Sequence, residues 1–151
     1  MIHVRSYKPD DRAFVLGLAQ RLAIGMQPWR NMELWLRTFE EWINQSIADH
    51  NQKGMVFIAE DEVGERCGFA TVSHSNHFTG QPQANIGELA SVDSAEGRGV
   101  GTALVNACEN WAREQGYNLL TVSTGAANKR ALYFYHHLGF RDEDVTLTRI
   151  L

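Results

Sequence analysis

The chain has 151 residues, 44% of them apolar and 21% charged, proportions that support a folded core and exclude a disordered chain. No apolar run approaches the ~20 residues that a membrane helix needs, and a formal net charge of −4 argues against nucleic acid, whose phosphates require a basic surface. The first residues, Met1-Ile2-His3-Val4-Arg5, lack the long apolar stretch of a secretory signal, so the cytoplasm is the expected compartment.

No repeat, low-complexity tract or linker interrupts the sequence, and a single domain over residues 1–151 is expected. Residues 2–5 read as a short strand. Pro9-Asp10-Asp11 then supplies a helix start, a capping carboxylate ahead of Phe14, Val15, Leu18 and Leu22 at helical spacing; Gly25 and Pro28 end that helix. A second helix spans residues 32–50. Its apolar stripe (Met32, Trp35, Leu36, Phe39, Trp42, Ile43 and Ile47) is expected to pack on a sheet, with one end free to wall a pocket. Residues 55–60 and 67–74 form a hairpin across an acidic turn, residues 76–83 a loop, and residues 85–92 a further strand. A helix over 104–114 stops at Gly116, a strand covers 117–124, and a helix over 128–138 stops at Gly139. Alternation in 145–150 predicts a last strand. Short turns make the first half antiparallel, whereas the strand-helix-strand unit at 85–124 needs a crossover and therefore parallel strands. The expected fold is α/β, an α+β mixed sheet with helices on both faces.

Two cysteines, Cys67 and Cys108, lie far apart in apolar surroundings and read as buried reduced thiols. His74 and His77 invite a metal reading, but a three-residue gap beside a strand does not converge two imidazoles and no further ligand completes a set; no metal is expected.

The most informative segment is Glu88-Leu89-Ala90-Ser91-Val92-Asp93-Ser94-Ala95-Glu96-Gly97-Arg98-Gly99-Val100-Gly101-Thr102. A strand ends, three glycines come at alternate positions and a helix begins. Glycine lets the backbone turn with positive φ and approach a ligand closely. The N–H groups of Gly99, Val100, Gly101 and Thr102 are then orphan donors at the positive end of a helix dipole, an anion site to which Arg98 adds charge. A pyrophosphate is the natural guest. The turn lacks the Lys-Ser/Thr of a nucleotide P-loop and the full glycine fingerprint of a dinucleotide fold.

A second segment follows the next strand: Asn128-Lys129-Arg130-Ala131-Leu132-Tyr133-Phe134-Tyr135-His136-His137-Leu138-Gly139-Phe140. Together the two resemble the GNAT superfamily of N-acetyltransferases, which shows an R/Q-x-x-G-x-G/A turn into a helix and later N-x-x-A-x-x-F-Y-x-x-x-G-F. Asn128, Ala131, Phe134, Tyr135, Gly139 and Phe140 fill the second pattern; Gly99, Gly101 and Leu104 fill the first. The resemblance covers residues 84–151 well and the first half only in its order of elements. The sequence departs from the family at Glu96, where Arg or Gln is usual, at Ser91 for Val and at Asp93 for Pro.

The resemblance implies a GNAT-like acyl-CoA N-acyltransferase fold with splayed central strands, acetyl-CoA as co-substrate, and transfer of its acetyl group to a primary amine of a small molecule through a tetrahedral intermediate. A lysine or N-terminal protein acetyltransferase and a non-catalytic acetyl-CoA sensor are the alternatives, and family relatives are often homodimers. It places Gly97, Arg98, Gly99, Val100, Gly101 and Thr102 around the diphosphate. Leu89, Ala90 and Ser91 fall beside the pantetheine arm, on a strand separated from its neighbour by a bulge. Asn128 binds the pantetheine or caps its helix. Tyr135 matches the family tyrosine that reaches the coenzyme sulfur, and as a phenol can donate to a leaving thiolate. For the base, Glu88 is a carboxylate inside an otherwise apolar strand, where a raised pKa suits proton uptake, directly or through water; it can instead anchor a cationic substrate. Trp29, Trp35, Phe78 and loop 76–83 are expected to wall the acceptor pocket.

Overall fold

The computed structural model describes residues 1–151. β1 (His3–Ser6), β2 (Gly54–Glu60), β3 (Arg66–Asn76), β4 (Pro82–Ser91) and β5 (Leu120–Val122) form one sheet in the order β1-β2-β3-β4-β5. β1 to β4 pair antiparallel and β4 with β5 parallel, the crossover being made by α3 (Val100–Glu114). This is the mixed sheet that the connection lengths predict.

Successive strand residues point to opposite faces. Ala59, Ala70 and Val72 therefore meet Leu104, Val105 and Cys108 of α3 on one face. Ile58, Phe69 and Ala90 meet Val15 of α1 (Arg12–Gly17) and Ile43 of α2 (Met32–Ala48) on the other. Phe69, Ile58 and Ile43 are fully buried, each contributing about 1.5–3 kcal/mol relative to exposure. α4 (Lys129–His137) follows β5 and lays Tyr135 into the α3 layer.

Helix ends follow their sequence signals. Asn31 and Asn128 accept hydrogen bonds from the N–H groups of Leu34 and Ala131 at 2.9 and 3.1 Å, each a side-chain N-cap. Beyond α3 and α4, Gly116 and Gly139 take positive φ, and Tyr117 and Phe140 donate back to the carbonyls of Ala112 and Tyr135 at 3.0 Å.

Three expectations fail. The predicted first helix is α1 flanked by 3₁₀ turns at Pro9–Asp11 and Ala19–Ala23, since Gly17 ends the α-helical run at a cost near ~1 kcal/mol for continuing through it. Asp11 does not cap that helix in the forward direction; it accepts the Lys8 N–H behind it and is buried against Arg5 and Arg66. Residues 145–150 form no strand: Val145, Leu147 and Ile150 are exposed. Alternation defines a face, but a strand also needs a ladder partner, and β5, three residues long, is the sheet's edge with nothing paired beyond it.

Cys67 and Cys108 are free and buried, and burial pushes both thiols up, Cys108 to about 12. Neither thiol is expected to react with a disulfide reagent at pH 8 in the native protein, while both react in denaturant; fast native labelling would contradict this packing.

Candidate functional site

The site begins with a defect in the sheet. Ala70 pairs with Leu89 and Val72 with Ile86, so β4 spends one more residue than β3 between these pairs. Gly87 and Glu88 together oppose Thr71, a β-bulge. A Cβ on Gly87 would lie 2.9 Å from Thr71 Oγ1; glycine is what allows the threonine to close on the bulge. Thr71 Oγ1 accepts the Glu88 N–H at 3.0 Å and donates to Glu88 Oε2. Glu88 is 3% exposed, and its Oε1 has no hydrogen-bond partner. Burial raises the Glu88 carboxyl above its ordinary range, and the Thr71 hydrogen bond offsets part of this.

Glu88 lines a cleft of about 430 Å³ between α2 and the sheet. Trp42 and Asp49 border it from α2, Met55 from β2, Asn85 from β4 and Ser123 from the residue after β5. The residues expected to wall the acceptor pocket lie outside this cleft. Trp35 donates its indole N–H to the Leu22 carbonyl at 3.2 Å, and Phe78 is 90% exposed at the β3–β4 turn. None of Trp29, Trp35 and Phe78 lines the cleft; the end of the α2 stripe that does so is Trp42.

β4 and β5 pair only at Ala84–Leu120, Asn85–Thr121 and Ile86–Val122. Beyond that point β4 runs on through Leu89, Ala90 and Ser91 with no strand on its β5 side, an open backbone edge. Part of it is already used: Arg21 donates to the Ser91 carbonyl at 3.1 Å.

The edge leads into the glycine turn. Gly97 and Gly99 have φ of 79° and 84°, the left-handed region that other residues enter at a cost. Gly99 is the N-cap of α3, and Ala103 is the first residue to bond back to it, at 3.1 Å. The N–H groups of Val100, Gly101 and Thr102 therefore lie in the helix's unpaired first turn. Val100 is buried beneath, Gly101 rests on the Phe134 ring, and Thr102 is exposed. Arg98 turns toward Glu62 at 3.3 Å, an exposed pair and hence a weak one.

Glu96 has a definite role that its sequence position does not announce. Its carboxylate pairs with Arg21 through one oxygen and with Arg130 through the other, at 2.6 Å for Arg130. These contacts, Arg130 first, hold its carboxyl below the usual range. The 3₁₀ turn at Ala19–Ala23, the glycine turn and α4 are thereby tied together.

Tyr135 stands in the α3 layer against Phe134 and Phe140, at ring distances of 5.0 and 5.4 Å, and is 8% exposed. Burial, then neighbouring Cys108, raises its phenol to about 12. It does not line the α2 cleft. The side chain of Asn128 is committed at both ends, capping α4 and donating to the Ile24 carbonyl at 3.3 Å. His74 contacts the Tyr117 hydroxyl and the Trp111 ring, and His77 bonds Thr79 within its own turn at 2.7 Å. Thr71, Arg21, Arg130 and Asp49 are the site residues that sequence reasoning missed. Each is joined to the motifs only by folding, and Arg130 alone lies inside a recognisable pattern.

The model of the acetyltransferase (GNAT) family matches residues 17–140. An uncharacterized N-acetyltransferase of Methanocaldococcus jannaschii is 27% identical over 117 residues, 74% of this chain and 47% of that protein. Mycothiol acetyltransferase of Propionibacterium freudenreichii is 29% identical over 103 residues, 68% of this chain and 33% of that protein. The chain thus spans less than half the length of these curated relatives. The solved structure of AAC(6')-Iy in complex with the bisubstrate analog CoA-S-monomethyl-acetylneamine shares the fold, with a TM-score of 0.72 at 22% identity over 100% of this chain and 99% of that one.

Proposed function

Because the chain belongs to the acetyltransferase (GNAT) family, we propose that it transfers an acetyl group from acetyl-CoA to the primary amine of a small molecule. The observation that carries this reading is one continuous strand, β4, that bears a buried carboxylate with an unpaired oxygen at its bulge, an open backbone edge beyond it, and a helix N-terminus at its end.

The residues fit coenzyme A. The first-turn N–H groups of α3, with Gly97, Arg98 and Gly99 ahead of them, suit the diphosphate. The unpaired edge at Leu89, Ala90 and Ser91 suits the amides of the pantetheine arm, which can pair with it as an added strand does. When bound, the thioester supplies an activated acetyl carbon. Asn128 contributes through its cap, by setting where α4 and Tyr135 lie.

An ammonium has no lone pair, so the acceptor must first lose a proton. Glu88 takes it, directly or through water, since burial has raised its basicity without removing it from the cleft. The amine nitrogen then forms a bond to the acetyl carbon, and main-chain N–H groups of the β4 edge face the developing oxyanion. The carbon–sulfur bond breaks, the surplus proton on the attacking nitrogen passes to the departing sulfur by way of Tyr135 or water, and the products are the amide and the coenzyme thiol. A phenol near 12 keeps its proton at neutral pH and donates a hydrogen bond to sulfur, whose own basicity rises in the same buried surroundings. Glu88 approaches from the α2 side of the sheet, and Tyr135 belongs to the α3 layer on the other side.

Calorimetry with coenzyme A and thiol release from acetyl-CoA over an amine panel test the reading. Gly99→Val is expected to weaken coenzyme binding by about 10-fold or more through strain at positive φ. Tyr135→Phe is expected to bind normally and to lose about 10²-fold in turnover. No heat of association in the wild type would end the proposal; full turnover in Tyr135→Phe would remove the tyrosine from it.

A further inference from the structure

The geometry points to Asp49 as the residue that selects the acceptor, by reading a second cationic group on it. The preferred substrate is then a hydroxylated diamine without phosphate or carboxylate, of the diamino-sugar kind. This deepens the reading of the α2 cleft as the acceptor site and rests on it.

Asp49 is the C-cap of α2, a 17-residue helix with no basic residue in its last turn. A carboxylate there faces the negative end of the helix dipole and is disfavoured unless a cation answers it. None does: its side chain receives only the Gln45 amide, at 3.1 Å, and it takes part in no ion pair. The second observation is independent. Glu88, almost wholly buried, lines the same cleft with Oε1 lacking a partner. Two carboxylates from different elements thus border one cavity, and no Lys, Arg or His lines it.

The two are not equivalent. Glu88 is buried and raised in basicity, which suits the nitrogen that must lose its proton. Asp49 is half-buried, and a carboxylate so placed suits pairing with an ammonium that keeps its proton. Ser46, Ser73, Ser123 and Asn85 line the same cleft, and the Asn85 Oδ1 is already taken by Thr121 at 2.9 Å, leaving its NH₂ to donate. These groups match hydroxyl-bearing substituents. The Trp42 ring, more than half exposed, offers a flat wall for a sugar face or a cation. A cleft of about 430 Å³ holds a ligand of one or two rings. A phosphate in this space would meet two carboxylates and no countercharge.

The test compares kcat/KM, by thiol release, for neamine, glucosamine and glucosamine-6-phosphate with wild type, Asp49→Asn and Asp49→Glu. Wild type is expected to favour neamine over glucosamine by about 10-fold or more, and glucosamine over its phosphate by a similar factor. Asp49→Asn should collapse the neamine preference by raising KM, with the KM for acetyl-CoA unmoved and the melting temperature unchanged or slightly raised; Asp49→Glu should restore part of the preference. An unchanged neamine-to-glucosamine ratio in Asp49→Asn, or better turnover of the phosphate, overturns the assignment while leaving acetyl transfer standing. Absence of thiol release with every amine would instead overturn the proposed activity, and this selectivity with it.

Discussion

Glu88→Gln is expected to lower turnover by about 10²–10⁴-fold, the usual worth of a positioned general base, while raising the melting temperature at neutral pH. Both effects come from one fact: a carboxylate buried at 3% exposure, with one oxygen on Thr71 and the other on nothing. Its pKa is raised by desolvation, so the folded state prefers it protonated. The stability linked to this group is fully present below the ordinary carboxyl value of about 4.3 and is lost as pH rises through the elevated folded value. Above the ordinary carboxyl value the side chain therefore costs stability, because an unpaired buried charge is dearer than an unpaired buried amide. Gln removes the charge and keeps the shape. Each kcal/mol recovered moves the melting temperature by about 2–4 °C in a chain of this size. The gain should vanish near pH 4, where the wild-type carboxyl is protonated too. Activity runs the opposite way: wild-type kcat rises with pH through the Glu88 titration, and the variant's residual rate follows the free-amine fraction of the acceptor. Melting curves and pH–rate profiles on the two proteins decide this. A variant that is less stable at pH 7.5, or within 10-fold of wild-type turnover, would return Glu88 to a structural role.

The parts of the molecule that local chemistry dictates could be read from the sequence. Gly116 and Gly139 end their helices where left-handed residues are needed, Asn128 caps α4, and the glycines at 97 and 99 turn the chain into the start of α3. Parallel pairing of β4 with β5 followed from the length of their connection. What failed was whatever depends on a distant partner. Alternation in residues 145–150 defines two faces, but no neighbour supplies a ladder. Trp35 and Trp42 are equivalent in the stripe of α2, yet one is anchored to Leu22 and the other borders the cleft, because the Ala19–Ala23 turn covers only the first. Glu88 was legible as an odd carboxylate in an apolar strand. Thr71, which holds it, sits 17 residues away across a bulge that no pattern in β3 reveals. Glu96 read only as a departure from the family's Arg or Gln, and the fold alone brings Arg21 and Arg130 to it.

Asp11→Ala is expected to destabilise the fold by about 3–5 kcal/mol, the range for removing one partner of a buried charge network. The carboxylate is fully buried and accepts from Arg5 at 2.8 and 2.9 Å, from Arg66 at 2.7 Å and from the Lys8 N–H at 2.7 Å. Arg5 belongs to β1, Arg66 to β3, and Lys8 precedes the turn that starts α1, so one side chain fastens two strands and a helix entry. The Arg5 hydrogen bonds, aided by the Lys8 N–H and Arg66, hold the Asp11 carboxyl well below the usual range. Its folded pKa being depressed, it contributes stability that is present above the ordinary carboxyl value of about 3.9 and is lost as pH falls below it. Removing it takes from Arg5, whose side chain is 20% exposed, its buried partner and leaves it Glu60, at 3.1 Å, and the Ser6 carbonyl, at 3.0 Å. Arg66 is better solvated, at 37%, so Arg66→Ala should cost less than Asp11→Ala. The measurement is chemical denaturation of wild type, Asp11→Ala and Asp11→Asn at about pH 7 and about pH 2.5, on either side of the ordinary carboxyl value. Asn keeps the volume and loses the charge, so most of the loss should appear in Asp11→Asn as well. In both variants the fall in stability between about pH 7 and about pH 2.5 should be shallower than in wild type. If Asp11→Asn costs under 1 kcal/mol and leaves the acid dependence intact, the carboxylate's shape rather than its charge joins these elements.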